Sequence, residues 1–141
     1  GNLTKTAFKM SVPKKILARQ HEITHDYLKE LDKHLSDITN GHVDKMFGIK
    51  DFANILHIHP THLTNTVKLT TGNHPCFYFE EKILVVAKQM LAENKMSIAS
   101  IAVLLTYDPS NFTKFFKRYT GKTPKQFREE ILNGKTESLT I

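Results

Sequence analysis

The stretch from Asp108 to Pro124, DPSNFTKFFKRYTGKTP, has a counterpart of equal length from His59 to Pro75, HPTHLTNTVKLTTGNHP, displaced by 49 positions. Under that shift Ile49 falls on Ile98, Ala53 on Ala102, Leu56 on Leu105 and Pro60 on Pro109, with no gap. Thr64 then meets Thr113, Lys68 meets Lys117, Gly72 meets Gly121 and Pro75 meets Pro124. Apolar types pair as well: Phe52 with Ile101, Leu63 with Phe112, Val67 with Phe116 and Tyr78 with Phe127. Similarity at a fixed period means one structural unit used twice. Two copies are too few for a stacked solenoid, so the chain reads as a pair of modules.

Each copy spells two short helices. In the second, Ser97 is placed to cap the run Ile98, Ile101, Ala102, Leu105, whose spacing makes one apolar face. Asp108-Pro109 then forces a turn and opens the next helix, since proline at the first helical position gives up only a bond that would go unmade. That helix carries Phe112, Phe116 and Tyr119 on one side, with Phe115 beside them, and stops at Gly121. Thr123-Pro124-Lys125-Gln126 has the form of a capping box and starts another helix. The first copy repeats this with Phe52 to Leu56, a turn through Ile58, and 60–71 closed by Gly72. Ala53 and Ala102 are small enough for two helices to cross closely. A short helix, a tight turn and a second helix with its apolar side inward is the helix-turn-helix unit.

The expected fold is therefore all-α, with two helix-turn-helix subdomains joined by a linker helix and preceded by an extra N-terminal helix. Copy one covers about 49–75, the linker helix about 76–93 with Ile83, Ala87, Met90 and Leu91 facing the modules, and copy two about 97–132. Upstream, 14–39 reads as helical through Ile16, Leu17, Ile23, Tyr27, Leu28, Leu31, Leu35 and Ile38. Residues 39–48, with Gly41 and Gly48, read as a loop. Residues 1–25 are an N-terminal extension or linker helix, 26–132 the tandem domain, and 133–141 a loose tail with little to bury.

Charge narrows the function. Residues 60–128 carry ten basic against four acidic side chains, so the whole chain's excess of +6 is concentrated where the repeat lies. A basic surface attracts polyanions, nucleic acid above all, although a solvated basic face kept for solubility has the same composition. No run of 18 apolar residues exists to span a bilayer, and no secretory signal opens the chain. It begins at Gly1 rather than Met, which suggests that upstream residues have been removed. A single cysteine, Cys76, rules out an internal disulfide and fits a reducing cytosol; its place before an amphipathic helix suggests a buried, inert thiol. The motifs of phosphate-binding loops, serine hydrolases and zinc proteases are missing, so an enzyme is not expected. His57, His59 and His62 form an H-x-H-x-x-H cluster, but the cysteines and further histidines of a zinc finger are missing. The repeat makes His59 a cap and His62 an outward helical residue, so no metal is expected.

Ile98, Ile101, Ala102, Phe112, Phe116, Lys117, Gly121, Thr123, Pro124, Phe127 and Arg128 resemble the signature of the AraC/XylS family of bacterial transcription regulators, in its C-terminal DNA-binding domain. The resemblance covers about 26–132. Two departures stand out: Thr106 holds the place of the usual glycine of the second turn, with His57 equivalent to it, and that turn is one residue shorter than in most members. The resemblance implies a cytoplasmic regulator that binds double-stranded DNA by placing two recognition helices, about 60–71 and 109–120, in successive major-groove segments. It implies base contacts from Thr61, Thr64, Asn65, Asn111, Thr113 and Lys114. Phosphate contacts would come from Lys68, Lys117, Arg118 and Lys122. RNA polymerase is an implied partner and no cofactor is expected in this segment. Any inducer would act through another domain, and a homodimer would form through the N-terminal helix or through that domain. The alternative is a protein–protein interaction module without sequence-specific DNA binding, against which the basic bias of 60–128 argues.

Overall fold

The computed structural model describes residues 14–140, whose regular structure is all helical, with no strand among them. Seven helices follow in order: α1 (Lys14–Thr39), α2 (Ile49–Ile55), α3 (Pro60–Thr71), α4 (Pro75–Glu93), α5 (Ile98–Leu104), α6 (Pro109–Thr120) and α7 (Pro124–Thr140). Of the extension assigned to 1–25, residues 1–13 lie outside the described residues. The described chain divides into two compact units. One holds residues 14–33 and 47–78, the other 34–46 and 79–140.

In the first unit the core is Ile23, Tyr27 and Leu31 of α1, Phe52 and Ala53 of α2, and Leu63 and Val67 of α3, all buried. Burying one such side chain is worth about 1.5–3 kcal/mol. The Tyr27 ring meets Phe52 edge-on at 5.4 Å, and Phe47 meets Phe52 at 5.8 Å. Burial pushes the Tyr27 phenol far above its ordinary value. Its hydroxyl donates to the Pro75 carbonyl at 3.1 Å, which ties α1 to the first residue of α4. Thr24 and Thr70 share a 2.6 Å hydrogen bond. Ile16 and Leu17, read with the apolar rhythm of this helix, remain exposed.

In the second unit Leu35, Ile38, Ile83, Ala87, Leu91, Ile101, Ala102, Leu105, Phe112, Phe115 and Phe116 are buried. Tyr107 stacks on Phe115 at 5.3 Å, and Phe127 of α7 meets Phe116 edge-on at 5.3 Å. Tyr119, read with the inward aromatics of α6, is instead half exposed, because it falls in the last turn and covers only the edge of Phe115. The Arg128 guanidinium donates to the Leu91 carbonyl at 3.0 Å and the Met90 carbonyl at 3.5 Å. A cation is thereby set on the unpaired, partly negative C-terminal end of α4, where the helix dipole favours it.

The two copies repeat at the level of single bonds. In copy one the Ile58 amide donates to the Ala53 carbonyl at 3.0 Å, and in copy two the Tyr107 amide donates to Ala102 at 2.8 Å. Leu56 bonds to Phe52 and Leu105 to Ile101, each at 3.0 Å. This closure needs a left-handed residue just past the helix. It falls on His57, with φ 59°, and Thr106, with φ 69°. The second turn thus has the same hydrogen-bond pattern as the first. At the far ends of α3 and α6, Gly72 and Gly121 have φ 82° and 78°, and each donates 2.8 Å to the residue four before it. Thr71 and Thr120 even make the same side-chain bonds back to Val67 and Phe116.

The tail expected to be loose from 133 is drawn into α7, which runs to Thr140. Its start is a complete capping box: the Gln126 amide donates to the Thr123 hydroxyl at 3.1 Å and the Thr123 amide to the Gln126 side chain at 2.9 Å. Gly134 is the poorest helix former inside the run, and one glycine costs about 1 kcal/mol.

Two stability measurements follow. A β-branched residue at positive φ is strained by about 1–3 kcal/mol. Thr106→Gly should therefore raise the unfolding free energy by about 1 kcal/mol after glycine's extra chain entropy is subtracted, and His57→Gly should raise it less. Arg128→Ala should lower it by about 1.5–3 kcal/mol, and Arg128→Lys should recover only part, since an ammonium lacks the fork that reaches both carbonyls. Urea denaturation of the four variants checks both.

Candidate nucleic-acid interface

Leu63, Thr66 and Val67 fix the inward face of α3. At 3.6 residues per turn the opposite side presents Thr61, Asn65 and Lys68, all exposed, with half-buried Thr64 on its flank. In α6 the inward set is Phe112, Phe115 and Phe116. The opposite side presents Ser110, Lys114 and Lys117, flanked by Asn111 and Arg118 on one edge and Thr113 on the other. Each helix is 12 residues long, opens on proline, and leads with its polar face.

Capping settles how the leading residues are held. His59 accepts the Thr61 amide on Nδ1 at 3.1 Å. Asp108 accepts the Ser110 amide at 3.2 Å and the Ser110 hydroxyl at 2.6 Å. His74 caps α4 in the same way as His59, accepting the Cys76 amide at 3.1 Å. These contacts explain two of the histidines without a metal. Among the described residues no group of three or more metal-binding side chains comes together. Cys76 is exposed rather than buried, because the second residue of α4 points away from the core.

Several of the expected contact residues already have partners. The Thr113 hydroxyl donates to the Pro109 carbonyl at 3.1 Å. The Lys122 ammonium pairs with Glu130 of α7. The Arg118 guanidinium lies 5.1 Å above the Tyr119 ring, within cation–π range. Ser110 is the counterpart of Thr61, but its hydroxyl is committed to Asp108; the Asp-Pro-Ser spelling carried that signal. Lys125 is exposed beside the capping box and adds a cation to this end of the unit, at a position outside the family's expected phosphate contacts. Thr61, Asn65, Asn111, Lys114, Lys68 and Lys117 are exposed with no side-chain hydrogen bond to one another.

Asp108 is fully exposed, and its carboxyl is held below the ordinary value of 3.8, first by the Ser110 hydroxyl, then by backbone amides and the charge of Lys114. A depressed carboxyl stabilises the fold while it is ionised, and that contribution is lost as pH falls through the folded-state value. Asp108→Asn keeps a capping acceptor and removes the charge. Urea unfolding should find the unaltered chain ahead at neutral pH and the two converging as pH drops below 3.8. A gap that persists in acid would mean that ionisation is not what the cap contributes.

The profile of a helix-turn-helix domain family matches residues 52–130, more than half of the chain. The HTH-type transcriptional regulator YobQ of Bacillus subtilis (strain 168) is 30% identical over 97 residues, covering 68% of this chain. The chain spans only 40% of that relative's length. Among solved structures, the C-terminal domain of AraT, a response regulator from Geobacillus stearothermophilus, has a TM-score of 0.66 at 22% identity, covering 77% of this chain and 84% of that one. The DNA-binding domain of AdpA, solved in complex with a target DNA, has a TM-score of 0.60 at 18% identity over 74% of this chain and 92% of that one. The structural likenesses speak for the fold, and the profile runs from α2 into α7. The chain belongs to the AraC-type helix-turn-helix family.

Proposed function

We infer that this chain binds double-stranded DNA and regulates transcription, with α3 and α6 each entering the major groove. The observation that carries this reading is the polar leading face of both helices, each held by the same turn and opposed by a buried inner face. The AdpA domain's complex with its target DNA supports it by likeness of fold. Recognition helices read bases with their early, outward residues. Thr61, Thr64 and Asn65 in α3, and Asn111, Thr113 and Lys114 in α6, are the base-reading set. Asparagine suits adenine, lysine suits guanine, and the Thr113 methyl suits the methyl of thymine. Lys68, Lys117 and Arg118 hold phosphates, which set register without reading sequence. Lys122 joins them by exchanging Glu130 for a phosphate.

The two helices take successive major-groove segments about 34 Å apart, so one chain covers an asymmetric site, and a spacing shorter than the groove repeat bends the DNA. A cytoplasmic location, RNA polymerase as onward partner, and a homodimer formed through α1 or another domain belong to the same reading. No helix among the described residues is long and apolar enough to cross a membrane.

Selection of bound sequences from a random DNA pool, followed by mobility shifts at low and moderate salt, tests the proposal. Asn65→Ala and Lys114→Ala should each relax choice at one or two base pairs and cost about 1–3 kcal/mol there. Equal weakening on every sequence would remove both from the base-reading set. Absence of any shift would favour a protein-interaction module.

A further inference from the structure

The repeat allows the two candidate DNA faces to be compared position by position, and they are not electrically alike. Residues 59–76 and 108–125 are equivalent windows. The second carries Lys114, Lys117, Arg118, Lys122 and Lys125 against the single acid Asp108. The same five positions in the first are Asn65, Lys68, Leu69, Asn73 and Cys76, so one cation stands where copy two has five. All ten side chains are exposed, so the difference lies at the surface of each unit. Leu69, the counterpart of Arg118, is 68% exposed, the most of any large apolar side chain among the described residues.

We propose that the two units divide the work on DNA: the α6 unit is the electrostatic anchor and the α3 unit is the sequence discriminator. This deepens the DNA-binding reading above and rests on it. Each phosphate neutralised by a cation releases counterions and contributes about 0.9 to the slope of log affinity against log salt. Setting aside Lys122, which is paired with Glu130, the α6 unit offers Lys117, Arg118 and Lys125 as exposed phosphate cations that carry no ion pair among the described residues, beside the base-reading Lys114. They hold any duplex. Within the equivalent window the α3 unit offers Lys68 alone. Its remaining outward surface is amide, hydroxyl, the His62 imidazole and leucine, whose polar groups are left unpaired against an ill-matched base edge. Leu69 removes a backbone anchor and supplies apolar contact in its place. A wrong base pair under α3 therefore costs more relative to that unit's total binding, and α3 engages only on the right sequence.

The test uses fluorescence anisotropy of the whole chain on the selected duplex and on a random-sequence duplex, across a salt series. Asn65→Ala and Lys114→Ala, through the base pairs whose choice they relax, identify the half-site under each helix. Arg118→Ala and Lys125→Ala should each lower the salt slope by about one on both duplexes. The gain variant L69R/N73K should raise the slope by about two, tighten binding to the random duplex, and narrow the ratio between selected and random affinity by about tenfold. Base changes under α3 should shift that ratio more than base changes under α6. Unchanged slopes in Arg118→Ala and Lys125→Ala, or equal costs in the two half-sites, would overturn the division of labour while leaving DNA binding intact. Failure of the unaltered chain to bind either duplex would overturn both.

Discussion

In each unit the first helix of the pair closes through one backbone bond, from the amide of Ile58 or Tyr107 to the carbonyl of Ala53 or Ala102. That bond makes two demands on the sequence. The residue before the donor must take a left-handed backbone, and the acceptor residue must be small, because the second helix crosses directly over it. Ala53 and Ala102 are fully buried at the crossing. With the crossing set, the inner faces of α3 and α6 meet the core and their opposite faces are turned to solvent with no freedom left in the matter. The candidate DNA surface is thus a consequence of the turn: its side chains are presented because their neighbours one step round the helix are buried.

The turn is bought with strain. Where glycine would be free of penalty, copy one uses His57 and copy two Thr106. Neither residue is recognisable as left-handed from its type; the one pointer in the sequence is that Thr106, and His57 as its equivalent under the repeat, hold the place where the family has glycine. Most of the architecture was legible from the repeat. Capping residues, prolines at helix starts and glycines at helix ends are local signals, and seeing each of them twice removes most of their ambiguity. Ser97, Asp108 and His59 cap as their positions indicate.

Features that depend on partners distant in sequence were not legible. Cys76 looked buried because it precedes an apolar helix, but its place in the first turn leaves it in solvent. Tyr119 follows the aromatic stripe and then runs past the edge of the core. Thr24 and His34 are polar residues buried on α1, where a hydropathy pattern expects neither. The pairing of Lys122 with Glu130 joins a helix end to the next helix across eight residues, a spacing with no periodic meaning in either. Within the candidate site, the outward positions followed from helical period. The commitments of Ser110 and Thr113 to Asp108 and Pro109 did not, since a hydroxyl's choice of acceptor is decided by local geometry.

The matched ends of α3 and α6 also bear on how such a protein can change its target. Both helices start on proline, have the same length, and finish on a left-handed glycine with the same closing bond. Their backbones are interchangeable cassettes, yet their linings are not: Leu63, Thr66 and Val67 occupy much less volume than Phe112, Phe115 and Phe116. Wholesale transplantation of one helix into the other's socket would leave a void on one side and a clash on the other. Transfer of the outer residues alone meets no such obstacle. On the DNA-binding reading, new operator preferences are therefore reachable by rewriting a thin outer layer, one side chain at a time, over a scaffold that need not be rebuilt.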